Sequence, residues 1–268
     1  MTVLEVLQST TAYFKKRNIE SPRLNAEHLL AHILERKRIE LYLEFERALA
    51  ESELEPLRQL VRRRAQGEPL QHLLGTVEFC GRVFLCDRRA LTPRPETEQL
   101  AELLKTKLQN PKSRMLDVGT GSGVIALTLA TRFPEAEVHG VDISEDALAL
   151  ARENAARFDL RDRVRFAKRH LLNEIDGTFD LIAANLPYVS TADRATLSRE
   201  VLRDPEVAIF GGARGDELIR ELICAAPAHL SPGGMIALEI GVGQAENLVR
   251  LLTQKNYHDL EAISDYCG

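Results

Sequence analysis

The 268-residue chain lacks the features that mark several large classes of protein. Its four cysteines, Cys80, Cys86, Cys224 and Cys267, form no CxxC pair and no zinc-like spacing. They read as reduced cytosolic thiols that serve packing, which excludes a disulfide framework. No run of 18 apolar residues occurs, so no membrane span and no membrane partner are expected. The N-terminus, MTVLEVLQST, has no basic segment followed by an apolar one. A signal peptide is therefore not expected, and a cytoplasmic location is. A basic excess is missing too. Net charge is −5; the first 75 residues carry 12 Lys and Arg against 11 Asp and Glu, and the rest carry 23 against 29. A surface that grips a nucleic-acid backbone broadly needs positive charge in excess, so no stable nucleic-acid binding is expected. No Ser-His-Asp or paired-carboxylate arrangement stands out. With 44% hydrophobic and 28% charged residues, the chain has the composition of an ordinary globular protein, long enough for one large or two smaller domains.

What is present is organised around Met115 to Ala130, MLDVGTGSGVIALTLA. Met115 to Val118 reads as a buried strand and Val124 to Phe133 as a helix, with Gly119, Thr120, Gly121, Ser122 and Gly123 between them. Glycines there allow positive φ and close approach of a ligand to the backbone, and the helix behind them offers free N–H groups. The spacing fits two ligands. Gly121, Gly123 and Ala126 match a dinucleotide fingerprint. Gly119, Gly121 and Gly123, preceded by Asp117, match the S-adenosyl-L-methionine (SAM) loop of class I methyltransferases better. Asp117 at the strand tip can accept bonds from loop amides or a ligand ammonium.

The remaining pattern alternates. The first 72 residues read as a small helical bundle. Thr2 caps a first helix; Ser21 and Pro22 open a second, carrying Leu24, Leu29, Leu30, Ile33 and Leu34; Leu41 to Ala50 reads as a third. Ser52 to Glu55 reads as a capping box for a fourth that ends near Gly67. His28 and His32 lie one turn apart but have no third ligand nearby, so no metal is expected. Arg62, Arg63 and Arg64 read as a solvated face. Residues 73–91 form a linker in which Thr76–Phe79 and Arg82–Leu85 flank Cys80-Gly81 as a β-hairpin. Residues 92–268 then form the ligand-binding domain. It opens on the stiff loop Thr92-Pro-Arg-Pro-Glu-Thr-Glu98 and a helix from Pro95 or Thr97. Strands are expected at Glu137–Ile143, Val164–Lys168, Phe179–Ala184, Met235–Ile240 and Tyr257–Ile263, with helices from Ser144 and over Gln244–Gln254. This is a parallel doubly wound α/β sheet. Asp142, about 20 residues past the loop, is placed to reach ribose hydroxyls.

Asn185-Leu186-Pro187-Tyr188 closes the strand that begins at Phe179 and falls in the crevice where such sheets bind ligands. Glycine loop, acid and then Asn-x-Pro-Tyr resembles the amino-methyltransferases that alkylate a planar –NH2. The Asn185 side-chain oxygen and the Leu186 carbonyl can each accept one N–H, and Tyr188 offers an aromatic wall. Alignment of the attack on an already activated methyl then supplies most of the rate. Thr92 to Glu98, together with Pro69-Leu-Gln-His72, Gly75, Phe79, Asp117 to Gly123 and Leu238-Glu-Ile-Gly241, is similar to the HemK-type release factor glutamine methyltransferases over nearly the whole chain. The ribosomal-protein glutamine methyltransferases share Asn-x-Pro-Tyr but lack the Thr92 to Glu98 segment.

The resemblance implies a class I, Rossmann-like SAM-dependent methyltransferase domain behind a helical domain that holds the substrate protein. It implies N5-methylation of the glutamine in the Gly-Gly-Gln tip of bacterial peptide chain release factors, with S-adenosyl-L-homocysteine as co-product; a monomer is expected, although the sequence is silent on oligomeric state. Carried over, the Gly119 to Gly123 loop and Asp142 bind SAM, and Asn185 to Tyr188 hold the amide. The competing readings are a nucleic-acid adenine N6-methyltransferase, which the charge disfavours, a SAM-binding sensor or scaffold, and an NAD-dependent oxidoreductase. Three departures from the family pattern stand out. Leu186 replaces a proline. Arg169-His170 occupies the place of an acid near the adenine, which leaves His170 as the adenine neighbour. The chain stops at Gly268 where the family continues into a closing strand, so the pattern implies either truncation or a sheet without its last strand.

Overall fold

A computed structural model describes residues 1–265, so Cys267 lies outside the described residues. By compactness the chain divides into two units, residues 1–76 with 198–203, and residues 77–197 with 204 onward.

The first unit is helical. It contains α1 (Val3–Lys16), α2 (Pro22–Ile33), a 3-10 segment at Arg38–Leu43, α3 (Glu51–Ala65) and the short α4 (Leu70–Leu74). Leu7, Phe14, Leu29 and Leu30 are fully buried at its centre. Thr2 caps α1 reciprocally with Glu5: Thr2 Oγ1 accepts from the Glu5 N–H at 3.3 Å, and Glu5 Oε2 accepts from the Thr2 N–H at 2.8 Å. Ser21 precedes α2 as expected, but its φ is 45° and its side chain makes no cap bond.

Three expectations for this unit need correction. Leu41–Ala50 is not an α-helix: only Leu41–Leu43 are helical, as the end of the 3-10 segment, and beyond them Phe45 and Arg47 give their carbonyls to the Leu4 and Val3 N–H groups. Those are the first donors of α1, which have no partner within the helix. The fourth helix begins at Glu51, with Glu53 Oε2 accepting from the Ala50 N–H at 2.9 Å, so the cap sits two residues before Ser52. Arg64 is not on a solvated face. It is 4% exposed and donates to Asn25 Oδ1 at 2.7 Å and Glu200 Oε2 at 2.6 Å, fastening residues 198–203 to the bundle. His28 Nε2 lies 3.2 Å from Arg38 Nη1, and His32 is exposed. Among the described residues no group of three His, Cys, Asp or Glu is placed to hold a metal ion.

The second unit, from Val77, opens within the hairpin of β1 (Thr76–Phe79) and β2 (Arg82–Leu85). Cys80 and Gly81 take φ of 47° and 72°, the left-handed pair that a two-residue turn requires. Phe79 and Phe84 are buried in the core of this unit and meet edge to face, their ring centroids 6.0 Å apart. There follow α5 (Pro95–Lys107), β3 (Arg114–Val118), α6 (Val124–Arg132), β4 (Glu137–Asp142), α7 (Glu145–Arg157), β5 (Val164–Lys168), β6 (Phe179–Asn185), a small parallel pair β7 (Val189–Ser190) and β8 (Phe210–Gly212), α8 (Glu217–Ala225), β9 (Leu230–Glu239) and α9 (Ala245–Gln254).

The sheet is parallel, in the order β5-β4-β3-β6-β9. Such strands are covered on both faces and read as apolar runs, as Leu181, Ile182, Ala183 and Ala184 do. The chain winds outward from β3 in one direction and from β6 in the other, so the crevice for a ligand opens at the carboxyl ends of these two strands. Val118 pairs with Ala184, which sets Gly119 beside Asn185.

The expected strand at Tyr257–Ile263 is absent among the described residues. Asn256 and Asp259 adopt φ of 62° and 53°, which breaks an extended run. The segment instead lies along α5, where Lys107 pairs with Glu261 at 2.8 Å and Gln99 donates to the Ser264 carbonyl at 3.2 Å. Leu70–Leu74, which spans the expected boundary between bundle and linker at residue 72, is one short helix.

Candidate active site

The loop after β3 turns through three left-handed glycines, with φ of 73° at Gly119, 56° at Gly121 and 83° at Gly123. A Cβ at Gly119 would stand 2.8 Å from Leu186 Cδ2, so that side chain would have to shift. The Gly119 and Thr120 N–H groups both donate to the Val141 carbonyl, at 2.8 and 2.9 Å, which ties the loop to β4. Asp142, at the tip of β4, accepts from the Gly121 N–H on Oδ2 and from the Ser144 N–H on Oδ1, each at 2.9 Å. Burial pushes its carboxyl above the usual range, against the pull of these amides.

A cavity of about 320 Å³ lies between these parts, at the lower end of the range for small-molecule sites. Gly119, Thr120, Gly121, Ser122, Asp142, His170, Asn185, Leu186 and Pro187 line it. Three expected residues do not. Asp117 is 1% exposed beneath the loop, where its Oδ2 accepts from Thr120 Oγ1 at 2.6 Å and from the Ala126 N–H at 3.1 Å. Its Oδ1 has no partner, and burial pushes the carboxyl up to about 7. Gly123 closes the loop against Leu127 and Ala151. Tyr188 lines a second hollow, with Gln244 and Asp216, and burial and the nearby Glu239 push its phenol up to about 12. His170 approaches Glu221, with Nδ1 3.6 Å from Oε1.

The loop that carries Asn185 to Tyr188 is packed from distant segments. A Cβ at Gly211 would stand 2.2 Å from the Pro187 carbonyl oxygen, and one at Gly241 would stand 3.1 Å from Tyr188 Cδ2. Gln244 Nε2 donates to the Tyr188 carbonyl at 3.0 Å. The Asn185 side chain is held by residues that the sequence did not single out individually. Its Nδ2 donates to Thr97 Oγ1 at 2.8 Å, and Thr97 Oγ1 donates to Glu239 Oε2 at 2.7 Å. Both lie in motifs quoted above, Thr92 to Glu98 and Leu238 to Gly241, so the motif was the available signal. Thr92 and Arg94 anchor the same loop to the buried Asp204, at 2.9 Å each. Arg89, Pro205, Val207, Phe210 and Leu218 also line the cavity, and no sequence pattern pointed to them.

The donor set fits SAM. Asp142 offers carboxylate oxygens where two ribose hydroxyls would sit. Ile143, Ala147 and Leu171 are apolar residues of the lining that would suit a base, and the loop and the α6 N-terminus carry the N–H groups that would suit the methionine carboxylate.

The chain is similar to known proteins over nearly its whole length. Residues 5–75 match the family described as PrmC N-terminal domain, and residues 109–259 match a methyltransferase domain. The release factor glutamine methyltransferase of Chlorobaculum tepidum is 41% identical, over 99% of this chain and 94% of its own length. That of Geobacter sulfurreducens is 39% identical, over 100% and 94%. Among solved structures, the ribosomal protein L11 methylase of Lactobacillus delbrueckii subsp. bulgaricus superposes with a TM-score of 0.51 at 25% identity, over 67% of this chain and 78% of its own. No helix among the described residues is long and apolar enough to cross a membrane. On the strength of these relatives, the chain is a SAM-dependent methyltransferase and belongs to the release factor glutamine methyltransferase family.

Proposed function

We propose that the chain transfers the methyl group of SAM to the side-chain amide nitrogen of the glutamine in the Gly-Gly-Gln tip of a peptide chain release factor. The observation that carries this reading is that Asn185 and Leu186 line the same cavity as the glycine loop and Asp142, with the Asn185 Nδ2 engaged by Thr97 Oγ1 at 2.8 Å. Bound SAM supplies a sulfonium-activated methyl group. An amide nitrogen is a weak nucleophile because its lone pair is delocalised. Asn185 Oδ1 and the Leu186 carbonyl each accept one N–H of the substrate, which holds the nitrogen in line and stabilises the positive charge that grows on it. Pro187 stiffens the turn, and Tyr188, in the neighbouring hollow, stays a neutral phenol. The nitrogen gains a methyl group and releases one proton to solvent, giving N5-methylglutamine and S-adenosyl-L-homocysteine. Asp142 takes the ribose hydroxyls, and His170 borders the adenine. The helical unit, residues 1–72, holds the body of the release factor.

Incubation with labelled SAM and an intact release factor, followed by peptide mass mapping, tests this. One methyl group on the Gly-Gly-Gln glutamine is the expected result. No label there, or label on DNA or RNA supplied in parallel, overturns it.

A further inference from the structure

The chain of bonds from Asn185 to Glu239 has a direction. A threonine hydroxyl carries one proton, and an ionised carboxylate can only accept. Thr97 gives its proton to Glu239 Oε2 at 2.7 Å, so its oxygen meets Asn185 with lone pairs alone. Only the NH2 side of the Asn185 amide satisfies that oxygen, and it does so at 2.8 Å. The two ends of an asparagine amide are nearly the same shape, so packing alone selects between them weakly. If the amide were reversed, an NH2 group would face the substrate NH2, donor against donor.

The three residues come from α5, β6 and β9. Asn185 and Glu239 are register partners in the sheet, and Thr97 is 3% exposed, so water does not compete for its hydroxyl. We propose that Glu239, acting through Thr97, is a positioning residue that fixes the polarity of the Asn185 amide so that its oxygen faces the methyl-accepting nitrogen. The proposal rests on the reading of Asn185 given above. Partial burial and the neighbouring acids Glu96 and Asp265 push the Glu239 carboxyl above its usual range, while the bond from Thr97 and the nearby Asn185 amide pull it back; Tyr188 also faces it.

Steady-state kinetics on the full chain with SAM and an intact release factor test the proposal, with SAM affinity read by titration. Thr97→Val removes the hydroxyl at constant size. It should lower kcat about 10- to 100-fold, as loss of a supporting hydrogen bond does, and leave KM and SAM affinity near wild type. Thr97→Ser keeps the hydroxyl and should restore most of kcat. Glu239→Gln can turn either its oxygen or its NH2 toward Thr97, so its kcat should fall between Thr97→Val and wild type. On an Asn185→Ala background, Thr97→Val should cost nothing further, because no amide remains to be positioned.

Wild-type kcat in Thr97→Val, no rescue by Thr97→Ser, or additive losses in the double variant would each overturn the proposal. Should Thr97→Val fail to fold, wild-type kcat in Glu239→Gln overturns it equally. Wild-type kcat in Asn185→Ala is a separate outcome. It removes the amide reading itself, whereas a collapse of Asn185→Ala with an unaffected Thr97→Val removes only the role of Thr97 and Glu239.

Discussion

The two ends of the cavity are built differently. The glycine-loop end comes from one short stretch, Gly119 to Gly123, and one acid 21 residues beyond Gly121. Its polar groups are mostly main-chain amides, held by left-handed glycines and the strand beside them. The amide end gathers Thr97, Asn185 and Glu239, with 88 positions between the first two and 142 between the first and last. Its alignment depends on side chains carried by three different elements. The loop end should therefore set affinity for the cofactor, and the other end should set the rate of transfer.

The sharpest way to break that division is Asn185→Ala. Loss of one transition-state acceptor should lower kcat about 10²–10³-fold, or about 2.7–4 kcal/mol, while SAM affinity by titration hardly moves. A variant that methylates at the wild-type rate would reduce Asn185 to a turn residue. Asp142→Ala should do the reverse. Removing hydrogen bonds to a charged group should weaken SAM binding by about 1.5–3 kcal/mol, with kcat at saturating SAM largely kept. Unchanged affinity would remove Asp142 from the cofactor site.

A smaller effect separates Asp117, which is buried beneath the loop, from Asp142, which lines the cavity. The Asp117 carboxyl is raised from 3.8 to about 7 in the folded chain. Between those values the unfolded chain has released the proton and the folded chain retains it. The unfolded state then binds fewer protons, so stability falls as pH rises from about 4 to about 7 and is level above. Thermal unfolding of the ligand-free protein across that range should show the decline, and Asp117→Asn should flatten it. An equal slope in both proteins would mean that another group is responsible.

Leu186→Pro should have the least effect. It restores the residue usual in the family and keeps the carbonyl, so kcat should stay level or rise. A large loss would show that the Leu186 side chain against Gly119, and not its carbonyl, sets the loop.

The comparison also explains what could be read from the chain. The strand–loop–helix of β3 and α6, the hairpin at Cys80-Gly81 and the boundaries of β5 depend on neighbours close in sequence, and all three matched expectation. Three of the misses share one cause. Leu41–Ala50 gave its carbonyls to α1, Arg64 found Asn25 and Glu200, and Tyr257–Ile263 turned away from the sheet toward α5. In each case a distant partner overrode a local preference.

The sequence by itself determined the parallel α/β class, the order of its motifs, and the residue types at both ends of the cavity. Glycine, proline and an alternating apolar pattern restrict φ and ψ and burial over a few residues, and such restrictions survive without any tertiary contact. Only the tertiary structure decided which way the Asn185 amide points and that Asp117 lies under the loop while Asp142 lines the cavity. Those facts depend on the register of β6 against β9 and on the seat of α5 beside them, and so on hydrogen bonds between groups that no stretch of the sequence places together.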